Sequence, residues 1–179
     1  NVAALIGHHT ARREAMGGVA DRPPSDSELM AMLANVTEGM EAGAVGLSTG
    51  LVYEPGRYAS TEEVVALSKV VGKHGGLYVS HMRDEGSGLL DSVRETLHIG
   101  EASGTAVEIS HHKAVGKSNW GMVTQSLEMI EEAIAQGRDV TADQYPYTAR
   151  STMLFALVQN GTFNDSEGGA MGKSEPSEV

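Results

Sequence analysis

Two histidines occupy the same local context about thirty residues apart. Ser80-His81 closes the apolar run LYVSH, and Ser110-His111 closes TAVEISH. Neutral imidazole is a common zinc ligand, and a strand end holds it more firmly than a loop tip. Neighbouring strands lie about 4.8 Å apart. Side chains at equivalent strand ends can therefore reach one ion through bonds of about 2.0–2.1 Å. One such histidine alone would read as structural, but the same placement on two successive runs points to a shared site. His112, one residue on, should point elsewhere, either supporting the ligands from behind or serving packing. Other polar residues follow the same runs. HMRDEG supplies Arg83, Asp84 and Glu85; HHKAVGKSNWG supplies Lys113, Lys117 and Trp120; DQYPYTARST supplies Asp143, Tyr145, Tyr147, Arg150 and Ser151. A lysine two residues past a metal histidine suits a substrate that carries a carboxylate, with tyrosine and serine hydroxyls assisting.

These residues need a scaffold, and the glycines outline it. Runs ending near Thr49, His81, His111 and Asp143 follow Gly43, Gly76, Gly104 and Gly137, a period of about thirty residues. Each glycine stands where a helix C-terminus would adopt positive φ, and each following run is short and apolar. A fifth run, VAALIGHH, precedes them and ends near His8 or His9. Between the runs lie amphipathic helices. Leu29, Met32, Leu33, Val36 and Met40 form one stripe, and Ser25 with Glu28 reads as a capping box. Ser60 and Glu63 repeat that box ahead of Val64, Val65, Ser68 and Val71. Leu89, Leu90, Val93, Leu97 and Ala102 line a third helix; Val123, Ser126, Leu127, Ile130, Ala133 and Ile134 line a fourth. All of these stripes read as core packing, with His74 and His98 at the surface or at a helix end.

Alternating buried strands and helices predict βαβ units with a parallel sheet, hence an α/β fold. Helix-to-strand links are little more than a glycine, whereas the links after strands are long, as in GLVYEPGRYA from Gly50 to Ala59. Functional residues of such folds gather on that side. Two architectures remain open: a five-unit doubly wound parallel sheet, or part of an eight-unit (β/α) barrel, which usually takes about 250 residues.

Composition narrows the function classes. The 179 residues carry no cysteine, which excludes a disulfide framework and a cysteine nucleophile within them. Asp and Glu number 24 against 13 Lys and Arg, for a net charge of −11, and no basic cluster supports nucleic-acid binding. No apolar run reaches the roughly 20 residues of a membrane span, so no membrane partner is expected. No phosphate-binding glycine motif follows a strand, and GLSTG (Gly46 to Gly50) is read as lacking the G-x-S-x-G spacing of a nucleophile elbow, which speaks against a serine hydrolase. The start at Asn1, inside an apolar run, leads us to expect a segment of something longer.

Four ordered motifs now become specific: GLSTGLVYEPGRYAS, YVSHMRDEG, EISHHKAVGKSNWG and VTADQYPYTARST. Together with NVAALIGHHTARREAMG they resemble the D-aminoacylase (N-acyl-D-amino-acid deacylase) branch of the amidohydrolase superfamily, from Asn1 to about Leu154. The resemblance implies a (β/α)8 TIM barrel of amidohydrolase type, of which this chain would hold about strands three to seven. It implies two segments, a partial barrel over residues 1–154 and a polar, disordered tail over 155–179. It implies zinc as cofactor, with His81 and His111 as ligands. Lys113, Tyr145 and Ser151 match positions that contact the substrate carboxylate, with Ser151 open to a one-residue slip.

The implied reaction is zinc-dependent hydrolysis of the amide of an N-acyl-D-amino acid, a small-molecule substrate, by a cytoplasmic hydrolase of linear amides. The family's first-strand His-x-His pair, second-strand cysteine and eighth-strand aspartate fall outside the chain. That aspartate is the expected general base, so no catalytic residue is assigned within the chain, and Asp143 is not given its role. Alone, the chain is expected to bind zinc weakly and turn over little, and its open strand edges are expected to promote self-association. The alternatives are another amidohydrolase, such as a cyclic amide hydrolase, or a fragment without independent activity.

Overall fold

The computed structural model describes residues 1–147, 149, 151–152, 158–159 and 162–163. Strand β1 (Leu5–Gly7) runs directly into helix α1 (His8–Met16), and α2 (Asp26–Glu41) follows. Then come β2 (Gly46–Gly50), a short 3-10 turn at Gly56–Tyr58, α3 (Thr61–Lys73), β3 (Leu77–His81) and α4 (Leu89–Ser103). Strand β4 (Ala106–Ile109), α5 (Met122–Ala135) and β5 (Val140–Ala142) complete the repeat. Beyond them β6 (Val158–Gln159) and β7 (Thr162–Phe163) pair antiparallel. The rest of 155–179, where a disordered tail was expected, lies outside the described residues.

The five main strands are parallel and stand in sequence order, β1-β2-β3-β4-β5. Crossovers between parallel strands are right-handed, so a sheet that always grows in one direction places every helix on one face. Each helix packs against the next, from α1 to α5. Leu47, Tyr78, Val107, Ile109 and Val140 point into that helical layer and are buried. Their neighbours Ser48, Val79, His81 and Glu108 point the other way and stay half exposed. A doubly wound sheet needs a reversal of strand order to put helices on both faces. None occurs, so that alternative is set aside in favour of the barrel-type arrangement.

Three local expectations are corrected. Ser25 accepts from the Glu28 backbone N–H and Glu28 reciprocates, a complete capping box. At α3, Ser60 accepts from the Glu63 N–H at 3.2 Å, but the Glu63 carboxylate does not return to the cap. It turns inward to His8 Nε2 at 2.8 Å and to the buried Arg12 guanidinium, where a desolvated cation needs it more. Positive φ falls on Gly75 (φ 68°), not Gly76, which matters for another reason. A Cβ on Gly76 would stand 2.8 Å from both Met40 Cε and Val71 Cγ1, where β3 enters beneath α2 and α3. On α5, Ser126, Ile130 and Ala133 are buried, whereas Leu127 and Ile134 are exposed because no described helix lies beyond that flank.

Candidate metal and carboxylate site

The strand C-terminal ends bring the two marked histidines together. His81 is the last residue of β3, and His111 lies two residues beyond β4. His81 Nδ1 and His111 Nε2 face each other at 2.7 Å, with the rings edge to face at 69°. The backbones beneath them are stitched in parallel register: Leu51 N–H donates to His81 O and Ser110 N–H to Ser80 O, each at 3.0 Å. His111 adopts a positive φ of 42°, the one described non-glycine residue that does. That conformation costs a β-carbon clash in most residues. Asp143 offsets it: its Oδ1 accepts from the His111 N–H at 2.6 Å, and its carbonyl accepts from the His112 N–H at 2.8 Å. The Asp143 carboxylate is therefore committed to shaping this turn.

Lys113 closes back onto the pair. Its ammonium donates to His111 O at 2.9 Å and to Glu85 Oε2 at 2.6 Å, and its Nζ lies 2.9 Å from His111 Nδ1. Glu85, with a side chain 8% exposed, places its other oxygen, Oε1, 2.9 Å from the same Nδ1. Burial alone would push the Glu85 carboxyl up; the close approach of His111 Nδ1 and of the Lys113 ammonium outweighs it and holds it below the usual carboxylate range. The loop carrying Glu85 is tied down by Val115 N–H donating to Glu85 O at 2.7 Å.

The donor set suits a borderline divalent ion. Among the described residues, His81, Glu85 and His111 form a group whose ligand atoms lie within 4.8 Å of one another. Glu85 Oε1 is a buried oxygen that meets no well-aligned hydrogen-bond donor. The two imidazole nitrogens that face each other fit zinc, with the carboxylate behind them at His111 Nδ1.

The other expected site residues are spread more widely. Lys113 Nζ stands 5.5 Å from the Tyr145 ring centroid, so the two share one side of the site. Ser151 is exposed, while its neighbour Thr152 meets the Tyr53 hydroxyl at 2.9 Å. His112 is buried and bonded through Nε2 to Ser126 Oγ at 2.9 Å, the packing alternative of the two; burial pushes its imidazole pKa down. Arg83 and Asp84 serve the scaffold: Arg83 grips Glu95 and the Ala59 carbonyl, and Asp84 caps the backbone of Gly86 and Gly88. Lys117, Trp120 and Tyr147 are exposed, and Arg150 lies outside the described residues. GLSTG does spell G-x-S-x-G, but Ser48 lies within β2 and not on a strand-to-helix turn, so it is no nucleophile elbow.

Two residues that sequence reasoning did not single out belong here. The Tyr53 ring lies 4.9 Å from that of His81. His9 Nε2 donates to the Gly50 carbonyl at 3.0 Å and anchors the loop that carries Tyr53. A Cβ on Gly56 would stand 2.3 Å from His9 Nε2, so this glycine is required for the imidazole to seat. The length of the loop after β2 was the signal that could have found them.

Comparison with known proteins bears on the arrangement. No protein-family model matches the chain. It is 42% identical over 154 residues to a D-aminoacylase of Alcaligenes xylosoxydans xylosoxydans, covering 86% of this chain and 31% of that one. It is 44% identical, with the same coverage, to an N-acyl-D-glutamate deacylase of the same organism. A crystal structure of the Bordetella bronchiseptica N-acyl-D-glutamate deacylase superposes with a TM-score of 0.79 at 42% identity, over 82% of this chain and 31% of that one. That enzyme was crystallised with zinc and a phosphonate inhibitor that mimics the reaction's tetrahedral intermediate. The chain thus spans about a third of the length of the relatives it matches.

Proposed function

We propose that this chain, which belongs to the D-aminoacylase family of amidohydrolases, contributes part of the zinc site and the carboxylate clamp of an enzyme that hydrolyses the amide of N-acyl-D-amino acids. The observation that carries the reading is the facing of His81 Nδ1 and His111 Nε2 at 2.7 Å with the Lys113 ammonium beside them. His81 and His111 would hold zinc, which when bound supplies a Lewis acid and makes water more acidic at neutral pH.

The chain's own residues then bind and orient. Two N–H donors of Lys113 go to Glu85 Oε2 and His111 O; the third, near His111 Nδ1, would turn to the substrate α-carboxylate. Tyr145, on the same side of the ammonium, would complete that contact, and Ser151 would join it from the following loop. A carboxylate held there places the scissile amide over the two imidazoles, which converts binding into orientation. Asp143 is not the base in this scheme, because its carboxylate is bonded to the His111 backbone. The proton-accepting aspartate is assigned outside these residues.

The reading includes weak zinc binding and negligible turnover by the chain alone, since catalytic zinc sites usually take three protein ligands. Zinc titration of the 179-residue chain tests the ligands: His81→Ala and His111→Ala should each lower affinity at least tenfold. Equal affinity in both variants would remove the metal assignment. Rapid deacylation by the chain alone would remove the need for groups beyond it. A cytoplasmic location is part of the same reading and is checked by cell fractionation.

A further inference from the structure

His111 Nδ1 lies between two groups with opposite demands. Glu85 Oε1, 2.9 Å away, can only accept a hydrogen; Lys113 Nζ, also 2.9 Å away, can only donate one. Satisfaction of buried polar atoms decides between them. The lysine already has two acceptors, Glu85 Oε2 at 2.6 Å and His111 O at 2.9 Å. Glu85 Oε1 is buried and has no aligned hydrogen-bond donor, so it is an acceptor still to be satisfied, and His111 Nδ1 lies within reach of it at 2.9 Å. Leaving it bare would cost more than leaving one ammonium hydrogen to solvent or substrate.

The geometry points to Glu85 as a positioning residue that keeps the proton of His111 on Nδ1, presents Nε2 as a lone pair toward His81, and fixes Lys113 with its second oxygen. This rests on the metal-site reading above and deepens it. One carboxylate then sets both the metal-facing nitrogen and the carboxylate-binding cation, so the two halves of the site are aligned by a single side chain. The arrangement follows the general pattern in which the nitrogen of a metal-binding histidine that is not coordinated donates to a carboxylate. Glu85 acts through His111 and Lys113 and touches neither water nor the amide.

Two readouts on the full 179-residue chain test it. Long-range nitrogen–proton correlation spectra of the metal-free wild type, at a pH where the ring is neutral, should show His111 in its Nδ1–H form. In Glu85→Ala, the ammonium becomes the sole partner of Nδ1 and the proton should move to Nε2. Zinc affinity should then fall by about 10–100-fold. Glu85→Gln offers one acceptor where the carboxylate offers two: its oxygen goes to the Lys113 ammonium and its NH2 faces Nδ1, so it should show the Nε2–H form and weakened zinc binding as Glu85→Ala does. A wild-type His111 in the Nε2–H form would overturn the inference without recourse to any variant. So would a Glu85→Ala chain that keeps Nδ1–H and binds zinc as wild type does. Zinc binding indifferent to both His81→Ala and His111→Ala would instead overturn the metal reading, and the positioning role with it.

Discussion

Glu63 lies at the strand-end face among fully buried partners, bonded to His8 and Arg12 and 4% exposed. Arg12 has no exposed surface, and its guanidinium also donates to the Arg22 carbonyl at 2.6 Å. Removing the carboxylate strands a buried cation, so Glu63→Ala should lower unfolding free energy by about 3 kcal/mol in urea titrations at neutral pH. Burial alone would raise the Glu63 carboxyl, but the hydrogen bonds from His8 and Arg12 outweigh it and hold it below its ordinary 4.5. A group depressed on folding contributes fully above its unfolded value and loses that contribution as pH falls through the folded one. The gap between wild type and Glu63→Ala should accordingly be constant from neutral pH to about 5 and narrow below about 4.5. A gap that stays constant down to strongly acid pH would contradict the arrangement.

At the scale of elements, the two helix caps differ in a way the sequence does not show. Ser25→Ala should destabilise the chain by about 1 kcal/mol by thermal or urea unfolding, since it removes one half of a reciprocal box. The same box was legible at Ser60 and Glu63, yet the structure uses only its serine half, because two residues 55 and 51 positions away compete for the glutamate. Spacing reports local partners and is blind to distant ones. The stripes of α2 through α5 and the four strand ends were readable because burial on one face imposes a period that local sequence must obey. Helix α1 was missed because its buried residues are His8, Ala11 and Arg12, which hardly register as an apolar stripe. The pairing of His81 with His111 was readable because parallel register repeats a position from strand to strand. The part played by Glu85 was not, since a carboxylate in a loop is ordinarily solvated. Nor was the clamp around His111, whose positive φ depends on Asp143 at the next strand's end.

At the scale of the whole molecule, one face of the sheet carries the helices and the other is lined by Ser48, Val79, His81 and Glu108 without a covering layer among the described residues. Strands β1 and β5 form its two edges. Such edges recruit other strands, so size-exclusion chromatography with light scattering should find the chain above its 18.8 kDa monomer mass at micromolar concentration. Ala142→Lys, a charge on the exposed edge strand, should shift it toward monomer; a wild-type chain that runs as a monomer throughout would oppose this. The sequential strand order also bears on how the molecule is assembled during synthesis. Every strand finds its partner in the unit made just before it, with Gly46 beside Leu5, Leu77 beside Gly46, Ala106 beside Leu77 and Val140 beside Val107. Among the described residues no pairing of the five-stranded sheet waits for a distant part of the chain, so each new unit can dock on its predecessor as it emerges from the ribosome. His81 thus leaves the ribosome 30 residues ahead of the His111 that must meet it.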